Sequence, residues 1–453
     1  MIKREDRRNI VKTTADQESP ARLERAAHKS RRFLLQTSGA AALLGAAKLA
    51  FPGGAFAQGA GPEVKGTKLG FIALTDACAL VIAKEKGFFA KHGMPDVEVG
   101  KQASWPATRD NLALGSASNG IDGAHILSTM PYLMTAGKIT QNNVPVPMAM
   151  LARTHIDGQS ISVSNEFKDP LIGTDASPLK AAIAAKRAKG KEFTGAHTFP
   201  GGTHDLWIRY WLAAAGIDPD NDMKLIPVPP PQMVANMKVG NMDVFCVAEP
   251  WHGQLVNQNI GYTALTCDEI WPLHPDKSFA MRADWVEKHP NATRAILMAL
   301  FEAQKWCDEP KNKQELAEIT SKRQWFNCPV ADIVGRLRGE FDFGHGRKAT
   351  NTKQIMKFWR DHASFAWPSH DAYMLYENIR WGKLDPTIDV KALIAKVSRV
   401  DLWRDAAKTL GIPADQIPSS NSRGKETFFD GKVFDPENPS AYLKSLAIKR
   451  VEV

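Results

Sequence analysis

Residues 67–87, TKLGFIALTDACALVIAKEKG, decide the fold. The run 67–74 is apolar, lies between Gly66 and the polar pair Thr75-Asp76, and reads as a strand. Residues 77–87 then read as a helix, with Asp76 as its N-terminal cap and Gly87 as its stop. A strand that feeds directly into a helix is the opening half of a β-α-β unit.

The alternation continues outward. Residues 97–101, 121–124, 147–151 and 160–163 read as strands, and 105–114 and 128–136 as helices. A second run of the same kind begins near residue 190. It has strands at 193–197, 225–227 and 243–247, and helices at 203–215 and 232–239. This pattern predicts an α/β fold with doubly wound parallel sheets. The chain's 453 residues exceed one compact core, so two lobes are expected. The expected division is 65–158 for the first part of lobe 1 and 159–278 for lobe 2. Residues 279–400 return to lobe 1 and become helical, with helices at 285–287, 292–307, 312–320, 330–339 and 352–363. Residues 401–453 form a C-terminal extension, loop-like beyond 410, wrapped on the body.

The leader has its own signature. Ser30-Arg31-Arg32-Phe33-Leu34-Leu35 opens an apolar stretch that ends in Ala55-Phe56-Ala57, a small-x-small cleavage site. The paired arginines resemble the twin-arginine export signal, with Gln36 where a basic residue is usual. Cleavage is expected after Ala57, giving a soluble mature chain that starts near Gln58 in the periplasm. The apolar stretch is short for a membrane span and is broken by Lys48. No cysteine lies near the cleavage site, so lipid anchoring there is not expected.

Charge points away from nucleic acid. The net charge is +9, but residues 1–57 hold eleven Lys/Arg against five acids. The basic character belongs mostly to the leader, and no nucleic-acid partner is expected. Cys78, Cys246, Cys267, Cys307 and Cys328 show no CxxC spacing, which argues against a zinc or redox motif. They read as buried small apolar residues.

No GxSxG, HExxH, Walker or GxGxxG motif occurs, which favours a binding protein over an enzyme and implies no cofactor. The candidate contacts cluster where strands end and helices begin. Pro200-Gly201-Gly202-Thr203-His204-Asp205 joins a strand to a helix, and free N–H groups at a helix start attract anions. His204 could donate there as a neutral or a charged ring, and Thr203 or Asp205 could cap. The plain alternative is a capped helix with a surface histidine. Trp105, before Pro106, offers one N–H and a flat wall, or else packs in the core. Thr75, after the first strand, occupies a similar corner. Gln159 follows Gly158 at a strand start and is either exposed or engaged. Lys277 brings a point charge, or is a solvated surface lysine beside Asp276. Glu249, in Glu249-Pro250-Trp251, could be a metal ligand, a partner to a cation or a cap. Donors outnumber acceptors in this set, which suits a small anion with only acceptor atoms.

With these residues in hand, the segments TKLGFIALTDACALVIAKEKGFF, SWPATRDNL, FPGGTHDLWIRYWLAAAGIDP and VAEPW resemble the periplasmic nitrate- and bicarbonate-binding proteins of ABC importers. The resemblance covers nearly all of residues 65–400. It implies a two-lobed type II periplasmic-binding-protein fold, with a helical C-terminal extension and the ligand between the lobes. It also implies oxyanion contacts from a Trp, a Gln, a His and a Lys, matched here by Trp105, Gln159, His204 and Lys277, with Leu74 and Thr75 near. The implied partners are nitrate, with nitrite fitting similarly, and an ABC permease with its ATPase. Bicarbonate with calcium is the alternative that the resemblance leaves open. A folded, cofactor-carrying periplasmic enzyme, or a binder of sulfonates or a thiamine-pyrimidine precursor, would be further alternatives.

Overall fold

Short apolar strands separated by helices assemble into two five-stranded sheets. The computed structural model describes residues 61–350, 353 and 355–452. The leader and its cleavage point after Ala57 lie outside the described residues. The strands are β1 (Lys68–Phe71), β2 (Glu98–Lys101), β3 (Gly123–Leu127), β4 (Met148–Arg153), β5 (Gln159–Ser164), β6 (Thr194–His197), β7 (Lys224–Pro227), β8 (Val244–Ala248), β9 (Gly261–Thr266) and β10 (Lys277–Arg282).

The first sheet has the order β2-β1-β3-β10-β4 and the second β7-β6-β8-β5-β9. Neither is the purely parallel sheet that the alternation predicts. β10 runs antiparallel to β3 and β4, and β5 runs antiparallel to β8 and β9. Each reversed strand is the one that enters a sheet just after the chain has crossed from the other. A strand arriving by a direct crossing has no helix to return it to the parallel direction. The geometric result matters below: the reversed strands begin at the end of the sheet where the parallel strands stop.

Local sequence accounts for the helices that flank the strand ends. α1 (Cys78–Glu85) follows β1 and stops before Gly87, whose φ of 72° a side chain would resist. α2 (Trp105–Leu114) matches its expected bounds, with the Ser104 hydroxyl accepting the N–H of Ala107 at 3.3 Å and Pro106 in the first turn. α3 (Met130–Thr135) follows β3. α4 (Thr203–Ala214) follows the Gly201-Gly202 turn and is buried on all sides from Thr203 to Ala213, rather than along one amphipathic stripe. α5 (Pro290–Asp308) and α6 (Pro368–Arg380) carry the later part of the chain.

Two crossings connect the sheets, 154–158 and 267–276, and they run side by side. The N–H of Thr154 bonds the carbonyl of Lys277 at 3.1 Å, and the N–H of Asp157 bonds that of His274 at 3.0 Å. A third segment lies against them. Residues 352–363 were expected to be a helix, and the described part of that range is not one. Lys357 instead exchanges backbone hydrogen bonds with Ile156 at 2.9 and 3.1 Å. The carboxylate of Asp308 accepts the N–H groups of Phe358, Trp359 and Arg360, donors that a helix would have used internally.

The tail is less featureless than its composition suggests. It holds a two-strand ribbon (Glu426–Thr427 with Val433–Phe434) and a helix at Pro439–Ser445. Phe428, Phe434, Tyr442 and Leu443 pack in the same apolar cluster as Trp207, Trp271 and Tyr373. The five cysteines are buried free thiols.

Candidate functional site

Side chains from several strand ends converge on the ammonium of Lys277. Lys277 is the first residue of β10, Gln159 is the first residue of β5, and both strands run against their neighbours. That reversal places their first residues beside the turns that leave β1, β2, β3 and β6. The site therefore sits at the carboxyl ends of the parallel strands, where open α/β sheets bind ligands.

Lys277 is fully buried, with Nζ 2.9 Å from Asp76 Oδ2, bonded to Asp276, and 3.2 Å from His204 Nε2. Its Nζ also lies 5.8 Å from the centre of the Trp105 ring, within cation–π range. Trp105 packs against His125 with ring centres 5.6 Å apart, and His125 Nε2 meets Asp76 Oδ1 at 2.6 Å. His155 stands 3.7 Å from both Asp76 and Asp276. Thr203 donates to Asp276 at 2.5 Å, and His204 Nδ1 shares a 2.6 Å hydrogen bond with the Thr198 hydroxyl.

Burial and neighbouring charge set the protonation of this cluster. Burial raises the Asp76 carboxyl, but Lys277 and His125 outweigh it and hold the group at about 2. Asp276 lies well below the carboxylate range, because Lys277 overcomes the same burial. Burial pushes His204 and His155 down to about 4, helped at His204 by the adjacent Lys277. The imidazoles of His204 and His155 are thus neutral at ordinary pH. His204, at the start of α4, also meets the positive end of the helix, which opposes imidazolium.

The structure brings Trp105, His204 and Lys277 together. Thr75 stands one residue before Asp76 and reaches across to the second sheet. Its N–H and hydroxyl both bond the carbonyl of Glu249, at 2.8 and 3.1 Å. Leu74 packs with Trp105, Phe199 and Ala248 in one apolar cluster that joins the two sheets. Gln159 pairs with Ala248 in the β5–β8 register, next to that junction. It makes no side-chain hydrogen bond to the Lys277 cluster among the described residues. Both polar atoms of its buried amide lack a hydrogen-bond partner among the described residues, and so does the Trp105 indole N–H. Each such atom costs roughly 1–3 kcal/mol when left unpaired, so donors of this kind are costly unless something takes them up.

Several local expectations are corrected. Asp76 does not cap α1, because its carboxylate is committed to Lys277 and His125. Asp205 and Thr203 do not cap α4. Asp205 instead accepts the N–H of Gly201 at 2.7 Å and pairs with Arg209, while Thr203 serves Asp276. Glu249, by contrast, keeps one of its expected roles, as partner to a cation: it pairs with Arg336, and it also accepts the N–H of Gly253. Lys277 is a buried charge and not a solvated one. Asp76, His125, His155 and Thr198 belong to the cluster without having been singled out for it. A histidine inside the otherwise apolar strand GAHIL was the one local signal for His125. His155 and Thr198 lie in connecting segments and carry no local signal.

Asp76, His155 and Asp276 each offer a ligand atom within 4.8 Å of the others, a spacing that could hold a metal ion. The ammonium of Lys277 bonds both carboxylates, so a fixed protein cation takes the place a dication would need. A separate cavity of about 550 Å³ lies between Lys68, Asp122 and Arg282. Lys68 is the first residue of β1 and Arg282 the last of β10, at the opposite ends of the strands from the Lys277 cluster. Arg282 is already paired with Asp284 there.

Comparison with known proteins agrees with this architecture. Residues 60–321 match the model of the NMT1-like family. The nitrate/nitrite binding protein NrtA of Synechocystis is 59% identical over 392 residues, covering 86% of this chain and 87% of that protein. The bicarbonate-binding protein CmpA of Synechococcus elongatus is 45% identical over 397 residues, covering 86% and 88%. The crystal structure of the periplasmic nitrate-binding protein NrtA from Synechocystis superposes with a TM-score of 0.84 at 58% identity, covering 86% of this chain and all of that one. The fold is therefore the two-lobed α/β fold of that periplasmic binding protein, and the chain belongs to the NMT1-like family.

Proposed function

We propose that the chain is the periplasmic solute-binding component of an ABC importer, and that it captures nitrate, and nitrite similarly, between its two lobes. One observation carries this reading. Among the described residues the buried Trp105 Nε1 and Gln159 amide have no hydrogen-bond partner; Trp105 faces the buried Lys277 ammonium across 5.8 Å, and Gln159 starts the reversed strand of the other sheet. Hydrogen donors and a fixed positive charge suit a planar, singly charged ion that can only accept. Nitrate/nitrite binding proteins 56–59% identical to this chain support the same ligand. Nitrate stays ionised at any physiological pH, so a fixed cation suits it.

Lobe 1 is built on the sheet β2-β1-β3-β10-β4 and lobe 2 on the sheet β7-β6-β8-β5-β9, so the boundary expected at 278 moves to the crossing that ends at 276. Capture proceeds by closure of these lobes over the ion, favoured by the tighter contacts of the closed state. The closed form then docks on a membrane permease driven by an ATPase, and no catalysis occurs in this chain. Export by the twin-arginine route with cleavage after Ala57 delivers the folded chain to the periplasm. Isothermal titration of the mature protein with nitrate, nitrite and bicarbonate, the last with and without calcium, tests the reading. Heat with nitrate is expected. Silence with nitrate and clear heat with bicarbonate plus calcium would select the bicarbonate alternative.

A further inference from the structure

The hydrogens around His204 are arranged for the protein's own contacts and not for an incoming anion. An ammonium has three N–H donors and no acceptor. Lys277 directs its three at Asp76, Asp276 and His204 Nε2. His204 Nε2 must therefore accept. A neutral ring with an accepting Nε2 carries its proton on Nδ1, and that N–H donates to Thr198 Oγ1 at 2.6 Å. In this tautomer neither His204 nor Lys277 has a hydrogen to offer an ion that only accepts. Two of the donors that nitrate requires are spent on each other and on the carboxylates.

We propose that Thr198 is a positioning residue for anion capture: its hydroxyl accepts from His204 Nδ1 before binding and donates to the same atom afterwards, which fixes the proton on Nε2 and turns that N–H toward the ion. The proposal rests on the nitrate-binding reading. The proton count balances. The ring loses the proton at Nδ1 to water and gains one at Nε2 from water, so the imidazole stays neutral throughout. Once Nε2 carries its own hydrogen it no longer accepts from Lys277, and one ammonium N–H is released to the same ion.

A hydroxyl suits this role because it can reverse its polarity by rotating about one bond. Thr198 is buried, and its hydroxyl is the polar group bonded to Nδ1. It sits on the turn between β6 and α4, one residue past His197, so the backbone that shapes the turn also sets its distance to the ring. The rival event is protonation of His204 to imidazolium, with a proton taken up alongside the anion. The ring faces Lys277 at 3.2 Å and Asp276 at 3.7 Å, and it lies at the positive end of α4. Burial and Lys277 hold its pKa near 4, which favours a change of tautomer over a gain of charge.

The test is nitrogen NMR of ¹⁵N-histidine-labelled mature protein titrated with sodium nitrate, with calorimetry in two buffers of different ionisation enthalpy. His204 is expected to change from the Nδ1–H to the Nε2–H tautomer, with no net proton uptake between pH 7 and 8. T198V is expected to weaken nitrate binding roughly tenfold to a hundredfold, and T198S to restore it to within a few-fold. An unchanged Nδ1–H tautomer in the complex, one proton taken up per nitrate, or wild-type affinity in T198V would each overturn the proposal. A wild-type protein that binds no nitrate would overturn the underlying reading instead. If T198V does not fold, the wild-type tautomer measurement still decides.

Discussion

Lys277 and Asp76 form a fully buried ion pair, 2.9 Å from Nζ to the carboxylate, that ties the first strand-to-helix turn to the strand that re-enters the same sheet last. With Asp276 added, one ammonium serves two carboxylates. The site is therefore not a simple positive pocket. With His204 and His155 neutral, one ammonium against two carboxylates leaves these groups at a formal −1, so capture of an anion depends on where hydrogens point.

Removing the ammonium leaves Asp76 and Asp276 facing each other in a dry interior. Breaking a buried pair from one side costs about 3–5 kcal/mol. K277M is expected to lower the unfolding free energy measured by chemical denaturation by that amount and to abolish nitrate binding within the range calorimetry can read. Wild-type stability in K277M would contradict the assigned ion pairs.

Trp105 separates ring from hydrogen. W105F keeps an aromatic wall against His125 but removes the unpartnered indole N–H together with one fused ring. Nitrate affinity is expected to fall about tenfold, the worth of one hydrogen bond in a dry site, with the ligand-free protein losing about 1 kcal/mol to the smaller ring. Equal affinity in W105F would remove Trp105 from the ion's contacts.

Gln159 predicts opposite signs for stability and binding. Its buried amide has no partner among the described residues, so Q159L discards an unsatisfied polar group. The ligand-free protein is expected to melt at the same temperature or higher, while nitrate binds at least tenfold more weakly. A variant that loses stability and keeps affinity would make Gln159 a structural residue.

Acid should destabilise the ligand-free protein before it protonates the cluster. His204 and His155 bind protons near pH 4 when folded and near 6.5 when unfolded. The unfolded chain thus holds more protons between those values, so this contribution is complete above pH 6.5 and is lost as pH falls toward 4. It amounts to on the order of 3 kcal/mol per histidine. Asp76, held at about 2, adds a further loss below its ordinary value of 3.8. Denaturant titrations at pH 7.5 and pH 5 check this, and equal stability at the two would contradict it.

Much of this was legible in the sequence because local rules governed it. The run at 67–87, the capped helix at Trp105 and the Gly-Gly turn before Thr203 each fix their own geometry within a few residues. The reversed strands were not legible, since strand direction follows from which sheet the chain enters and not from its residues. The carboxylates around Lys277 were hidden for the same reason. Asp76 sits where a helix cap would sit, and only the return of β10 to the first sheet gives it a cation. The described part of 352–363 is not an α-helix, because Asp308, distant in sequence, claims the N–H groups of Phe358, Trp359 and Arg360.

A crystal structure of the mature protein grown in nitrate tests the central claim most directly. The ion is expected between Trp105 Nε1, the Gln159 amide, His204 Nε2 and Lys277 Nζ, each within hydrogen-bond reach, with the two lobes closed on it. Nitrate bound elsewhere, with His204 and Lys277 still joined to each other, would contradict the account.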